Sequence, residues 1–185
     1  MLWGAGCALV AVPTLASAQP MAPSVAPAAM AAAAQLRDAL PDAQRLGTAR
    51  LTVWGFQVYD AVLWVGSGFQ ASAWMQQPIA LELRYLRDFE GTAIAKRSID
   101  EMRRSGPIEA AQSERWLQAM QATFPDVKKG DRLLGVYEPG TGARFFHNGK
   151  PSGAVRDPAF AERFFAIWLG AQTSEPAMRD ALLAR

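Results

Sequence analysis

The stretch Arg50 to Val65, RLTVWGFQVYDAVLWV, constrains this chain more than any other. Apolar and polar side chains alternate up to Trp54, Gly55 interrupts, and a second run rich in β-branched and aromatic residues follows from Gln57 to Val65. Period-two alternation marks a half-buried strand, and a glycine between two such runs permits a tight turn or a bulge. In the first run Leu51 and Val53 face one way, and Arg50, Thr52 and Trp54 face the other. In the second run Tyr59, Ala61, Leu63 and Val65 alternate with Val58, Asp60, Val62 and Trp64. Both sets are largely apolar, which predicts a central strand covered on both sides over part of its length.

The rest of the chain supplies what such a hairpin needs. Ile79 to Arg87 alternates as a third strand, with Ile79, Leu81, Leu83 and Tyr85 on one face and Glu82 and Arg84 on the other. Thr92 to Arg104 has helical periodicity, with Ala95, Ser98, Ile99 and Met102 on its inner face. A second helix is predicted from Ile108 to Thr123, stopped by Pro125. Arg132–Tyr137, Ala143–His147 and Lys150–Val155 read as strands, the last two joined by Asn148-Gly149, which tolerates the positive φ of a tight hairpin. Asp157-Pro158 caps a further helix carrying Phe160, Phe164, Ile167 and Trp168, and a last helix follows Ser174-Glu175-Pro176. Hairpins dominate and helices come in pairs. The expected class is α+β, an antiparallel sheet with a layer of helices on one face.

Ahead of this fold the composition changes. The first 36 residues carry no charged side chain, and the apolar run Leu2–Leu15 is followed by Ala16-Ser17-Ala18. This predicts a signal peptide, residues 1–18, cleaved after Ala18, and hence a periplasmic or secreted protein. The run is too short for a membrane span, which needs about 20 apolar residues. Cys7 is the only cysteine, so cleavage leaves a chain with no disulfide. Residues 19–45 are expected to be a Pro/Ala-rich linker with a helical tendency near Ala31 to Leu40, and residues 46–185 the folded domain.

Little in the domain specifies chemistry. His147 is the only histidine and has no Cys or His cluster to join, so no metal site and no cofactor are expected. The net charge of +2 is spread along the chain, which argues against a nucleic-acid partner. Pro139-Gly140-Thr141-Gly142 joins two strands and is a turn, without the following Gly-Lys-Ser/Thr of a phosphate loop. Lys96, Arg97, Arg103 and Arg104 read as a solvated helix face. The aromatic stripe Phe160-Phe164-Phe165-Trp168 reads as core. Arg50 alternates with apolar neighbours and needs an anion if buried. Asp60 on the adjacent strand is the structural candidate and a ligand carboxylate the functional one, since a guanidinium matches a carboxylate with two parallel hydrogen bonds.

Three stretches in this order carry a resemblance. They are Gly47-Thr48-Ala49-Arg50 with Gly55 through Trp64; Leu81–Arg87 with Asp88 leading into the Thr92 helix; and Gly130-Asp131, Asn148-Gly149, Gly153, Asp157 and Phe160-Ala161 through Ile167-Trp168-Leu169-Gly170. Together they resemble the chalcone isomerase-like family, specifically its exported bacterial branch. The resemblance implies an open-faced β-sandwich with a ligand cleft between sheet and helices. Arg50 matches the family's cleft arginine and Tyr59 falls where its strand threonine is expected. The Tyr–Asn pair of the plant enzymes has no counterpart in Thr92–Asp100, and their later-helix hydroxyl falls near Ala161. The resemblance therefore implies a non-catalytic protein binding a small amphipathic acid such as a fatty acid, with Arg50 as carboxylate clamp assisted by Tyr59 or Tyr85. Two alternatives stay open: an intramolecular lyase acting on a chalcone-like phenolic substrate, and a protein-interaction module with a vestigial cleft.

Overall fold

The computed structural model describes Ala34 and residues 36–185. The expected signal peptide, Cys7 and the first part of the Pro/Ala-rich segment lie outside the described residues. Six strands form one antiparallel meander in the order β1 (Gln44–Val53), β2 (Phe56–Val65), β3 (Ile79–Tyr85), β4 (Arg132–Glu138), β5 (Gly142–His147) and β6 (Lys150–Val155). Each strand pairs with its neighbour in sequence, so every connection is a hairpin or a loop back to the adjacent edge. Helices α1 (Gly91–Met102), α2 (Ala110–Thr123), α3 (Pro158–Leu169) and α4 (Pro176–Leu182) pack with the sheet around the main core. This is the α+β open-faced arrangement that the alternation and the paired helices predict. The connection Phe69–Gln77 holds a short 3-10 segment, Ala71–Gln76.

The main core lies between sheet and helices. Phe145 of β5 meets Phe124, Phe160 and Phe164 at ring separations of 5.0, 6.5 and 5.3 Å, so the aromatic stripe of α3 is core, as its spacing predicts. Asp157 caps α3 by accepting from the Phe160 amide at 3.1 Å, and its other oxygen accepts from the Trp116 indole at 2.7 Å. One carboxylate thereby fixes α3 against α2.

A close backbone approach sets the position of α4. A side chain at Gly47 would place its Cβ 2.3 Å from the Ala181 carbonyl oxygen. Only glycine lets the end of α4 rest on β1 there. This accounts physically for the glycine that opens the Gly47–Arg50 stretch.

Two details differ from the sequence expectation. The folded part begins before Leu46: β1 starts at Gln44, and residues 36–39, inside the segment expected to have a helical tendency, form a packed helical turn closed by the Leu40 amide on the Leu36 carbonyl at 2.7 Å. Leu36 and Leu40 are buried in a second cluster with Ala80, Leu134, Val136 and Phe146, against which Trp64 also packs. The four helices of the layer share the main core on one face, and the short N-terminal turn is an addition to that arrangement. The N-terminal turn covers part of the second face, which is why β2 needs apolar residues on both its sides. Leu36 and Leu40 are spaced i,i+4, one stripe of a short helix, but the alanine run before them hides that stripe.

Candidate functional site

The register of the sheet decides which side chains meet. Arg50, Asp60, Arg84 and Arg132 are aligned across β1 to β4, and the neighbouring row brings Leu51, Tyr59 and Tyr85 together across β1 to β3. Successive residues of a strand point to opposite faces, so these two rows face apart. The tyrosine row faces the helices. The arginine row faces away, beside the Glu82–Arg132 pair at 2.6 Å.

Between the tyrosine row and the helices lies a cavity of about 650 Å³. Its inner wall is apolar, with Leu81, Leu83, Leu133, Phe145, Phe164 and Phe165. Gly135 forms part of the floor, where an added Cβ would stand 3.2 Å from Phe165 and 3.3 Å from Phe145. Val53 at the end of β1, Trp54 of the β1–β2 turn and Arg97 of α1 are exposed and mark its opening, and Ser98 and Glu101 of α1 with Ser174 and Glu175 ahead of α4 complete the lining. The size and lining fall in the range of small-molecule sites, roughly 300–1,000 Å³ with few polar groups. A smaller depression of about 420 Å³ lies between the end of α2 and β6, but its wall is more polar than apolar.

The polar groups are few and specifically placed. The Trp168 indole N–H donates to the Tyr59 hydroxyl oxygen at 3.0 Å. That bond occupies an acceptor position on Tyr59 and leaves its own O–H to donate elsewhere. Tyr85 packs edge-on to Tyr59 at 5.8 Å, and its hydroxyl has no protein partner among the described residues. Burial pushes the Tyr59 phenol up to about 12, and burial pushes Tyr85 up further still, Tyr59 adding to the effect. Both remain protonated donors at any physiological pH. At the rim Arg97 pairs with Glu101 at 2.5 Å, and one Glu101 oxygen is buried without a hydrogen bond.

Of the residues expected at the site, Tyr59 and Tyr85 line the cavity together and Arg50 does not. Arg50 donates to Asp60 through Nε at 2.6 Å and Nη2 at 3.0 Å, a two-pronged ion pair on the opposite face. The expected carboxylate clamp at Arg50 is thus corrected. Alternation places Arg50 and Leu51 on opposite faces, and the helices cover the Leu51 face. The structural alternative, a salt bridge to Asp60, is the arrangement found. Arg97 is exposed, as expected of the solvated α1 face, and it also borders the cavity with Glu101, a role not expected from the sequence. An Arg–Glu pair spaced i,i+4 is a common surface pattern, so nothing local in the sequence marks it. Trp168 was legible as core but not as the group that orients Tyr59, because that bond joins residues 109 apart.

His147 sits outside this site. Its Nε2 lies 3.2 Å from Asp131, which also accepts from Asn148 at 2.9 Å and from the Lys128 amide at 2.8 Å. The cluster ties the turn before β4 to the β5–β6 hairpin. Among the described residues no cluster of His, Cys, Asp or Glu could hold a metal ion.

Comparison with known proteins agrees with this architecture. Among solved structures, a fatty-acid binding protein of Arabidopsis thaliana superposes with a TM-score of 0.60 at 12% identity, over 77% of this chain and 87% of that one. Among curated sequences, an uncharacterized protein of Haemophilus influenzae is 30% identical over 144 residues, 77% of this chain and 68% of its own length. The family model described as chalcone isomerase-like matches residues 29–184. With the meander, its helical layer and the enclosed cleft all in place, the chain belongs to the chalcone isomerase-like family.

Proposed function

We propose that this protein is an exported, non-catalytic binding protein for a small amphipathic acid of the fatty-acid class. The observation that carries the reading is the apolar cavity with two tyrosine hydroxyls whose protons have no acceptor among the described residues. Both tyrosines line the cavity, where a ligand oxygen can accept the protons that water otherwise takes. In this reading the carboxylate lies against Tyr59 and Tyr85, and Arg97 at the rim supplies the nearby positive charge. The acyl chain runs inward over Leu83 and Leu133 toward Gly135, Phe145 and Phe165. The fold shared with a fatty-acid binding protein supports the ligand class. The charge-free apolar run at the start of the chain supports export.

Calorimetric titration of the delipidated protein with a long-chain fatty acid, its methyl ester and the corresponding alkane tests this. One-to-one binding is expected, with the acid at least about tenfold tighter than the alkane, as a lost charge-assisted hydrogen bond implies. Absence of saturable binding would contradict the reading. Closure of a chalcone above its spontaneous rate would replace it with an intramolecular lyase.

A further inference from the structure

The turn between β1 and β2 is built from Trp54 and Gly55 with φ of +49° and +80°. The chain makes a matching turn between β5 and β6 with Asn148 and Gly149, at φ of +49° and +77°. Asparagine and glycine suit this left-handed geometry, whereas a bulky aromatic side chain in it is an outlier. Trp54 is nevertheless there, and it is 93% exposed. Phe56, two residues on, is 59% exposed, and Val53 is also exposed. Local turn chemistry and the hydrophobic effect both disfavour this arrangement in water. A strained, exposed aromatic tip therefore points to a contact made outside the chain.

The surroundings say what kind of contact. The Arg87 guanidinium lies over the Phe56 ring, 4.6 Å from its centroid. The turn carrying Lys128 and Lys129 is held against the segment that follows β3, the Lys129 amide donating to Asp88 at 2.8 Å and the Gly130 amide to the Tyr85 carbonyl at 2.8 Å. The Leu86 amide donates to the Val58 carbonyl at 2.9 Å, which brings that segment beside the hairpin. Arg87 thus stacks on the aromatic tip and the exposed Lys129 lies on the adjoining turn, while Lys128 is paired with Asp88 at 3.2 Å and Glu90 is the other acidic group of the segment. Exposed aromatic side chains with a stacked guanidinium and a neighbouring lysine match the interface of an anionic bilayer, where tryptophan sits at headgroup level and cations meet phosphates. Val53 and Trp54 also line the cavity opening, so a bilayer docked on the tip would face that opening directly.

We propose that the β1–β2 tip, through Trp54 and Phe56 with Arg87 and Lys129, docks this protein on an anionic lipid bilayer surface. This goes beyond ligand binding and is separable from it. Binding of a fatty acid in vesicle-free solution tests the cavity, and binding of the protein to vesicles tests the tip.

The experiment is co-sedimentation of the full chain with vesicles of phosphatidylcholine alone and of phosphatidylcholine mixed equally with phosphatidylglycerol. Wild type is expected to sediment with the mixed vesicles. Trp54→Ser combined with Phe56→Ser should weaken that binding by at least about tenfold, given the apolar area withdrawn. Arg87→Gln with Lys129→Gln, which leaves the aromatic tip and the cavity lining intact, should abolish the preference for the mixed vesicles. Unchanged vesicle affinity in the Trp54/Phe56 variant, or no preference for anionic lipid in wild type, would overturn the proposal. So would a concentration-dependent dimer that the same variant dissolves, because a second copy would then cover the tip.

Discussion

Tyr85→Phe removes one oxygen atom from the cavity and should leave the empty protein as stable as before. Its hydroxyl has no protein partner among the described residues, so the unfolding free energy should change by less than about 0.5 kcal/mol. Tyr59→Phe removes the same atom from a neighbouring ring with a different result. It strips the Trp168 indole N–H of its acceptor at 3.0 Å, and a buried donor left unpaired costs about 1–3 kcal/mol. For a domain of this size that lowers the melting midpoint by about 2–12 °C. The two substitutions converge once ligand is added. Each removes one donor to the carboxylate, worth about 1.5–3 kcal/mol, or about 10–150-fold in Kd. Thermal melting of the delipidated variants and calorimetric titration with a fatty acid measure the two effects separately. The reasoning is refuted if Tyr85→Phe melts as far below wild type as Tyr59→Phe. It is refuted equally if both variants bind the acid as tightly as wild type.

Other consequences follow from the same geometry. Arg50→Ala should leave fatty-acid affinity unchanged, because Arg50 is held by Asp60 on the far face of the sheet; a large loss in titration would return Arg50 to the site. Gly47→Ala should destabilise the fold by about 1–3 kcal/mol in denaturant unfolding, because its methyl group meets the Ala181 carbonyl. A fatty acid held at one hundred times its Kd should add about 2.7 kcal/mol, raising the melting midpoint by about 5–11 °C. The alkaline limb of stability has a definite sign. Burial raises all three tyrosines of the chain, Tyr59 and Tyr137 to about 12 and Tyr85 in the same direction. Groups whose proton is held more tightly in the folded state contribute stability fully below about pH 10, the unfolded value, and lose it as the pH rises toward 12. Absorbance near the tyrosinate band should therefore stay flat above pH 10 and then rise together with unfolding.

The parts of the fold legible in the sequence are those fixed by local chemistry. Asn148-Gly149 announces its hairpin because few residues accept its dihedral angles. Asp157-Pro158 announces α3 because a capping carboxylate and a proline at the first turn both belong there. Alternation correctly separates Arg50 from Leu51 and Val53, but it says only that their faces differ. Which face the helices cover depends on the whole chain, and so the clamp expected at Arg50 falls on the wrong side. The same limit hides Arg97 and Glu101, whose spacing on α1 matches any solvated helix face. Trp54 shows a different limit. Its place beside Gly55 is readable as a turn, but the sequence alone gives no reason to expect an aromatic side chain there to remain uncovered.

The central claim is that an acyl chain lies in the cavity with its head at Tyr59 and Tyr85 and its tail at the inner wall. Nuclear Overhauser contacts from a fatty acid labelled with carbon-13 at its terminal methyl test this most directly. The account predicts contacts from that methyl to the rings of Phe145 and Phe165, and from the carbons next to the carboxylate to Tyr59 and Tyr85. Contacts confined to Trp54, or contacts to Phe146 on the opposite face of the sheet, would contradict it.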